Sequence, residues 1–284
     1  MRLEDFFQLD MGAKHREVDQ EELTPEREPR TADGNKRLAD SHISKGYLHQ
    51  AITRYKKAAR IENDASHRTD LGDAYAYAEL PVKAVDQYKR AVKKDPNRPE
   101  PHFSLAEIYT RYGKWHAAIQ EYERAIKLDP RNAFYRYKLS GALMKTGQYK
   151  EAIGQLEEAV LICPDDGFYR FELAAAYADS GHVDEALPEM ARAVEMTPGD
   201  DYYVVRLAIL CARVGLLEEA VIALKRAIQL NPERPAYKYL LGAVYYNLGR
   251  EEEAFNICQN AGDLHPYDLE FLERARKFVE GGRW

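Results

Sequence analysis

Residues 133–166, AFYRYKLSGALMKTGQYKEAIGQLEEAVLICPDD, place small and apolar side chains in two short runs of helical spacing. Leu139, Ser140 and Leu143 share one helix face, and Ala152, Leu156 and Ala159 share another. Gly147 stands between them and ends the first helix, because it alone enters the left-handed region without strain. Pro164 ends the second, having no N–H to continue the ladder. The stretch predicts a hairpin of two helices.

The same pattern recurs along most of the chain. Leucine stands at 38, 71, 105, 139, 173, 207 and 241, alanine at 51, 84, 118, 152, 186, 220 and 254, and again at 58, 91, 125, 159, 193, 227 and 261. Prolines close the units at 96, 130, 164, 198, 232 and 266, with Asn63 in the first. Asn132, Asp166 and Asp200 fall where helix N-caps belong, and Pro99 and Pro235 where a first helical residue tolerates proline. A row of such units buries a long, thin core, each unit resting on its neighbours.

Counted from residues 32, 65, 99, 133, 167, 201 and 235, the units resemble the tetratricopeptide repeat, a helix–turn–helix motif of about 34 residues. The family's leucine falls on the seven leucines, and its small eighth residue on Ala39, Gly72, Ala106, Ser140, Ala174, Ala208 and Gly242. Its aromatic eleventh residue is matched by Tyr75, Tyr109, Tyr177 and Tyr245 and replaced by His42, Leu143 and Cys211. The resemblance implies an all-α fold, a right-handed superhelical solenoid of about seven units over residues 32–268. Residues 269–284 then read as a C-terminal capping helix with Leu272, Ala275 and Val279 on its apolar face. Three departures stand out. Arg68, Arg136 and Arg170 replace the early tryptophan, Glu79 replaces a turn glycine, and Pro188 lies inside a second helix.

Residues 1–31 form a separate acidic segment, with nine Asp or Glu against five Lys or Arg. Leu3, Phe6 and Phe7 could line a short helix that docks in a partner, in another copy or in this chain's own groove, and the rest reads as an N-terminal cap or solvated linker. The net charge of the whole chain is −6, which gives no electrostatic case for nucleic acid. Three scattered cysteines support neither a disulfide framework nor a zinc site. The start lacks a basic stretch leading into an apolar run, and no run of about 18 apolar residues occurs, so a cytoplasmic location is expected. No GxSxG, phosphate-loop or HExxH pattern is present, so neither enzymatic activity nor a cofactor or metal is expected.

In each first helix the seventh, eighth and eleventh residues face the core, which leaves the second, fifth, ninth and twelfth as another stripe. In units one and two this stripe is polar: Asp33, Lys36, Asp40, then Ser66, Thr69, Asp73. Unit three is transitional, with Glu100, Phe103 and Glu107. Units four to seven turn apolar and aromatic through Phe134, Tyr137 and Met144, then Phe168 and Phe171, then Tyr202, Val205 and Ile209, then Tyr239 and Tyr246. The family resemblance places these positions on a concave, partner-binding surface. The residues named from Phe103 to Tyr246 are therefore the candidate partner-binding set, with Arg111, Lys145 and Arg213 as charges on its rim. The expected function is a non-catalytic interaction scaffold, an assembly factor or complex subunit, that takes an apolar peptide or helix of another protein. Self-association through residues 1–31, or a regulatory subunit of an enzyme, are the alternatives.

Overall fold

The computed structural model describes residues 29–284, in which fifteen helices and no strand occur. The chain divides after Asp129 into two bodies. The first holds α1 (Ala32–Ser44), α2 (Leu48–Ile61), α3 (Ala65–Tyr77), α4 (Pro81–Lys94), α5 (Pro99–Arg111) and α6 (Trp115–Leu128). The second holds α7 (Ala133–Lys145), α8 (Tyr149–Ile162), α9 (Gly167–Asp179), α10 (Val183–Met196), α11 (Asp201–Arg213), α12 (Leu217–Leu230), α13 (Pro235–Asn247), α14 (Glu251–Gln259) and α15 (Pro266–Val279). Odd-numbered helices up to α13 open a unit and even-numbered ones close it, so units one to three lie in the first body and four to seven in the second.

The local signals act as the sequence predicts. Asn132, Asp166 and Asp200 accept hydrogen bonds from the main-chain N–H groups of Tyr135, Phe168 and Tyr203, and Pro99 and Pro235 are the first residues of α5 and α13. Helix α10 runs unbroken through Pro188 at its sixth residue. The arginines in place of the early tryptophan bridge the two helices of a unit. Arg68, Arg136 and Arg170 donate to Gln87, Gln155 and Glu189 at 3.0, 2.9 and 3.0 Å, each tying the first helix of a unit to its second.

Inside each unit the helices meet at small residues. Both alanines of the second helix are fully buried in units one to six, as are Ala39, Ala106, Ala174 and Ala208 opposite them. Gly72 shows the tolerance: a Cβ there would come within 2.4 Å of the Tyr88 ring.

The polar character of the inner stripe in units one to three has a partner in the second helix. Tyr55 donates to Asp40 at 2.5 Å, Tyr88 to Asp73 at 2.7 Å, and Tyr122 to Glu107, fifteen residues apart each time. In units four to seven the tyrosine position carries Leu156, Met190, Leu224 and Cys258, and the acid position Gly141, Ala175, Ile209 and Ala243. A buried hydroxyl needs an acceptor, so the two positions are polar together or apolar together. Burial pushes the Asp73 carboxyl up to about 7, although the Tyr88 hydrogen bond pulls the other way.

Two outcomes follow from these contacts. Glu79 holds φ +55, alone among described non-glycine residues, at the turn where the other six units carry glycine at +68 to +90. Glu79→Gly should raise unfolding stability by about 0.5–1 kcal/mol, the side-chain strain relieved less the added chain entropy, measured by urea titration. Asp73 binds its proton more tightly folded than unfolded, so its contribution to stability is full below about 4 and is lost as pH rises towards 7. The stability of Asp73→Asn relative to wild type should therefore shift in the variant's favour across that window and level off above it. Urea midpoints compared at several pH values check this, and a constant difference contradicts it.

Candidate functional site

Neighbouring first helices lie side by side in the second body, so residues at their second and fifth positions meet across the gap. Helix α7 supplies Phe134, Tyr137 and Met144, all half-buried, beside exposed Gly141 and Lys145. Helix α9 adds half-buried Phe168. Its ring meets that of Tyr137 edge-on at 4.9 Å, Tyr137 lies 6.1 Å from Phe134, and Phe168 lies 5.3 Å from Tyr169. Edge-to-face contacts of this kind stabilise a fixed arrangement by about 0.5–1.5 kcal/mol each beyond the area they bury. The result is a preformed aromatic run over units four and five, with Lys138 over the Phe134 ring at 5.4 Å.

Units six and seven differ. Phe171 is buried, stacked on Tyr203 with ring centroids 4.1 Å apart and 5.7 Å from Tyr202, which is half-buried. Val205 and Ile209 are buried, and they share one hydrophobic cluster with Phe271, Ala275 and Phe278 of α15. The last helix, Pro266–Val279, adds no further layer against α14. It rests on α11 and α13, the first helices of units six and seven, and packs with the stripe residues Val205 and Ile209 of unit six. Its buried face is Phe271, Ala275 and Phe278, while the expected Leu272 and Val279 lie half-buried at its side. The two phenylalanines have more apolar surface to bury, so they set the face.

Beyond α15 the chain stays on the same surface. Trp284 places its ring 4.0 Å from the Arg206 guanidinium and edge-on to Phe271 and Phe278, and its main-chain N–H donates to Asp179 at 3.0 Å. Arg283 stacks on the Tyr149 ring at 4.4 Å, and the Gly282 carbonyl accepts from Arg213 at 3.3 Å. Arg206 is 5% exposed and lies also over Phe171 and Tyr202. Sequence reasoning passed over Arg206 and Trp284. Arg206 is the sixth residue of its unit, where Arg37 of unit one is exposed, and no periodicity separates the two.

The other expected residues scatter. Tyr239 and the exposed Tyr246 line an open cleft of about 790 Å³ between α13 and α14, together with Gly242, Phe255 and Cys258. This is the end of unit seven that α15 leaves bare. Phe103 belongs to the first body, where it is buried 5.8 Å from Tyr122. Of the rim charges, Lys145 is exposed, while Arg111 and Arg213 donate to the carbonyls of Ala76 and Ala178 in the preceding units. They clamp unit to unit as well as carrying charge. Leu3, Phe6 and Phe7 lie outside the described residues. Glu62, Asp64 and His67 bring possible ligand atoms within 4.8 Å of one another, yet Asp64 already caps α3 and bonds the His67 ring at 2.9 Å. Burial raises the Cys211 thiol to about 11, the state of a packing residue rather than a nucleophile. No described helix is long and apolar enough to cross a membrane.

Comparison with known proteins agrees with this architecture. Residues 36–99 match a family model for the tetratricopeptide repeat, residues 214–249 one for the TPR repeat, and residues 83–159 one for anaphase-promoting complex, cyclosome, subunit 3. A tetratricopeptide repeat protein from Parabacteroides merdae superimposes with a TM-score of 0.61 at 17% identity over 87% of this chain and 100% of its own. YrrB, described as a TPR protein with an unusual peptide-binding site, gives 0.54 at 20% identity over 66% of this chain and 99% of its own. MamA gives 0.53 at 27% identity over 58% and 91%. No curated protein matches the sequence. The repeat models, the solved structures and the fifteen-helix architecture agree that the chain is a tetratricopeptide repeat protein.

Proposed function

We propose that this protein is a non-catalytic interaction scaffold that takes an apolar or aromatic peptide or helix of a partner protein on the stripe of units four and five. The observation that carries the reading is the run Phe134–Tyr137–Phe168, aromatic side chains left half-open on a rigid helical face. Exposed Gly141 beside the half-buried rings leaves room for an inserted side chain, and exposed Lys145 offers a charge at the edge. Rigid aromatic anchors in a depression carry most of the energy in such interfaces, while rim charges guide approach. In units one to three the corresponding acids are held by tyrosines, so that end offers a polar surface in place of an aromatic seat. Similarity to repeat proteins, one of which is described as peptide-binding, supports the general class. The family model matched by residues 83–159 is named for a subunit of a multiprotein assembly, which supports the role of complex subunit or assembly factor.

Phe134→Glu with Phe168→Glu tests the seat. Each anchor lost should weaken a partner by about 2 kcal/mol, roughly thirtyfold, so the double variant should lose its partner in affinity capture from the native cell. Its helical circular dichroism should match that of wild type. A folded double variant that captures the same proteins at the same yield contradicts the assignment.

A further inference from the structure

The segment that follows unit seven behaves as something seated on the repeats. Every other second helix has 14 residues, while α14 has 9 and ends before Gly262, which turns the chain at φ +85. Residues 260–265 then carry it over to the inner stripe. Had the row continued, the next first helix would have filled the cleft at Tyr239, Tyr246 and Phe255, which stands open.

Helix α15 has the makings of an independent amphipathic helix. His265 and Asp268 form a reciprocal capping box, Asp268 lies in the first turn, and Arg276 and Lys277 lie in the last. Glu270–Arg274, Glu273–Lys277 and Arg276–Glu280 pair along its exposed side, one turn apart. Its other side presents Phe271, Ala275 and Phe278, at the first, fifth and eighth positions of one stripe.

What receives it is a set of cationic and aromatic groups on the repeats. Phe271 meets Tyr237 at 6.2 Å and the Arg234 guanidinium at 5.2 Å, Phe278 lies under Arg213 at 4.4 Å, and Trp284 under Arg206 at 4.0 Å. Asp179 and Arg213 hold the main chain around residues 282–284. The seat therefore reads a helix through two aromatic rings seven residues apart, and reads the extended residues after it through a third ring and main-chain polar groups. Those are the recognition elements of a helix bound in a groove, here supplied in cis.

We propose that the inner face of units five to seven is a second portion of the partner site and that residues 263–284 occupy it as a displaceable plug. The proposal rests on the reading of the inner stripe as a partner surface. The competing occupant is an amphipathic partner helix with aromatic residues at i and i+7, followed by an aromatic side chain that stacks on Arg206. Such a segment, continuous with one lying along Phe134 and Phe168, engages all four units once the plug leaves. Tethering gives the plug an effective concentration of about millimolar order, so a free competitor at micromolar concentration is excluded until the tether is cut or the competitor also gains the open run of units four and five.

The test uses the full chain with a specific protease site placed in residues 260–265, cut after folding, and a fluorescent synthetic peptide of residues 263–284 as probe. The intact chain should take up no probe. The cut chain should bind it saturably and release its own segment, and a probe carrying Trp284→Ala should bind at least about tenfold more weakly. Hydrogen exchange on the unaltered chain gives an independent reading: amides of α15 should exchange well before those of α11 and α13. Retention of the severed segment against excess probe, equal uptake of a scrambled probe, loss of helical signal on cutting, or equal protection of α15 and α11 would each overturn the proposal. Probe exchange does not depend on Phe134 or Phe168, so this test and the capture experiment can fail separately.

Discussion

Two helices of a hairpin approach closely only where neither carries bulk at the crossing, and each unit of this chain meets that condition with alanine, glycine or, in unit four, serine. The fully buried alanines of the second helix face Ala39, Gly72, Ala106, Ala174 or Ala208 on the first, and at Gly72 the space left is too small for a single Cβ beside Tyr88. Close approach brings the large residue four positions after the first alanine across the seam. Whether that residue is tyrosine or an aliphatic chain then decides what the inner stripe has to be.

This coupling accounts for the change of surface between units three and four. A tyrosine hydroxyl arriving at the inner face needs an acceptor, and Asp40, Asp73 and Glu107 supply one. Where the large residue is Leu156 or Met190, no polar atom arrives, and the ninth residue of the first helix shrinks to Gly141 or Ala175. Small residues at that position leave the aromatic side chains of the second and fifth positions open to an incoming group. The polar and the aromatic surfaces are thus two outcomes of one packing rule.

The last segment gives the apolar surface a second use. Arginines at the sixth and thirteenth residues of unit six already touch the repeats, Arg206 over the Phe171 and Tyr202 rings and Arg213 on the Ala178 carbonyl. With Trp284 and Phe278 against them, they also become the polar half of cation–π contacts to the last segment. The apolar stripe therefore has an open part on α7 and α9, a covered part on α11 that begins near Phe171 and Tyr202, and a bare end at Tyr239 and Tyr246 of α13.

The repeat length, the helix ends, the caps at Asn132, Asp166 and Asp200 and the small residues at the crossings were all legible in the sequence. Each is a local requirement repeated at a fixed interval, so seven copies report it. The aromatic stripe was legible as a pattern too, because its period is helical, and Phe134, Tyr137, Met144, Phe168 and Tyr246 are among its accessible members. What the sequence left open was the burial of Phe171, Val205 and Ile209, the roles of Arg206 and Trp284, and the face on which α15 rests. Those depend on where a single, unrepeated segment folds back across residues distant in the chain, as in the contact of Trp284 with Asp179. Periodicity carries no information about such a contact. Only the path of the chain after Gly262 decides it, through the competition between an open cleft at the end of unit seven and a seat of arginine and tyrosine side chains on units five to seven.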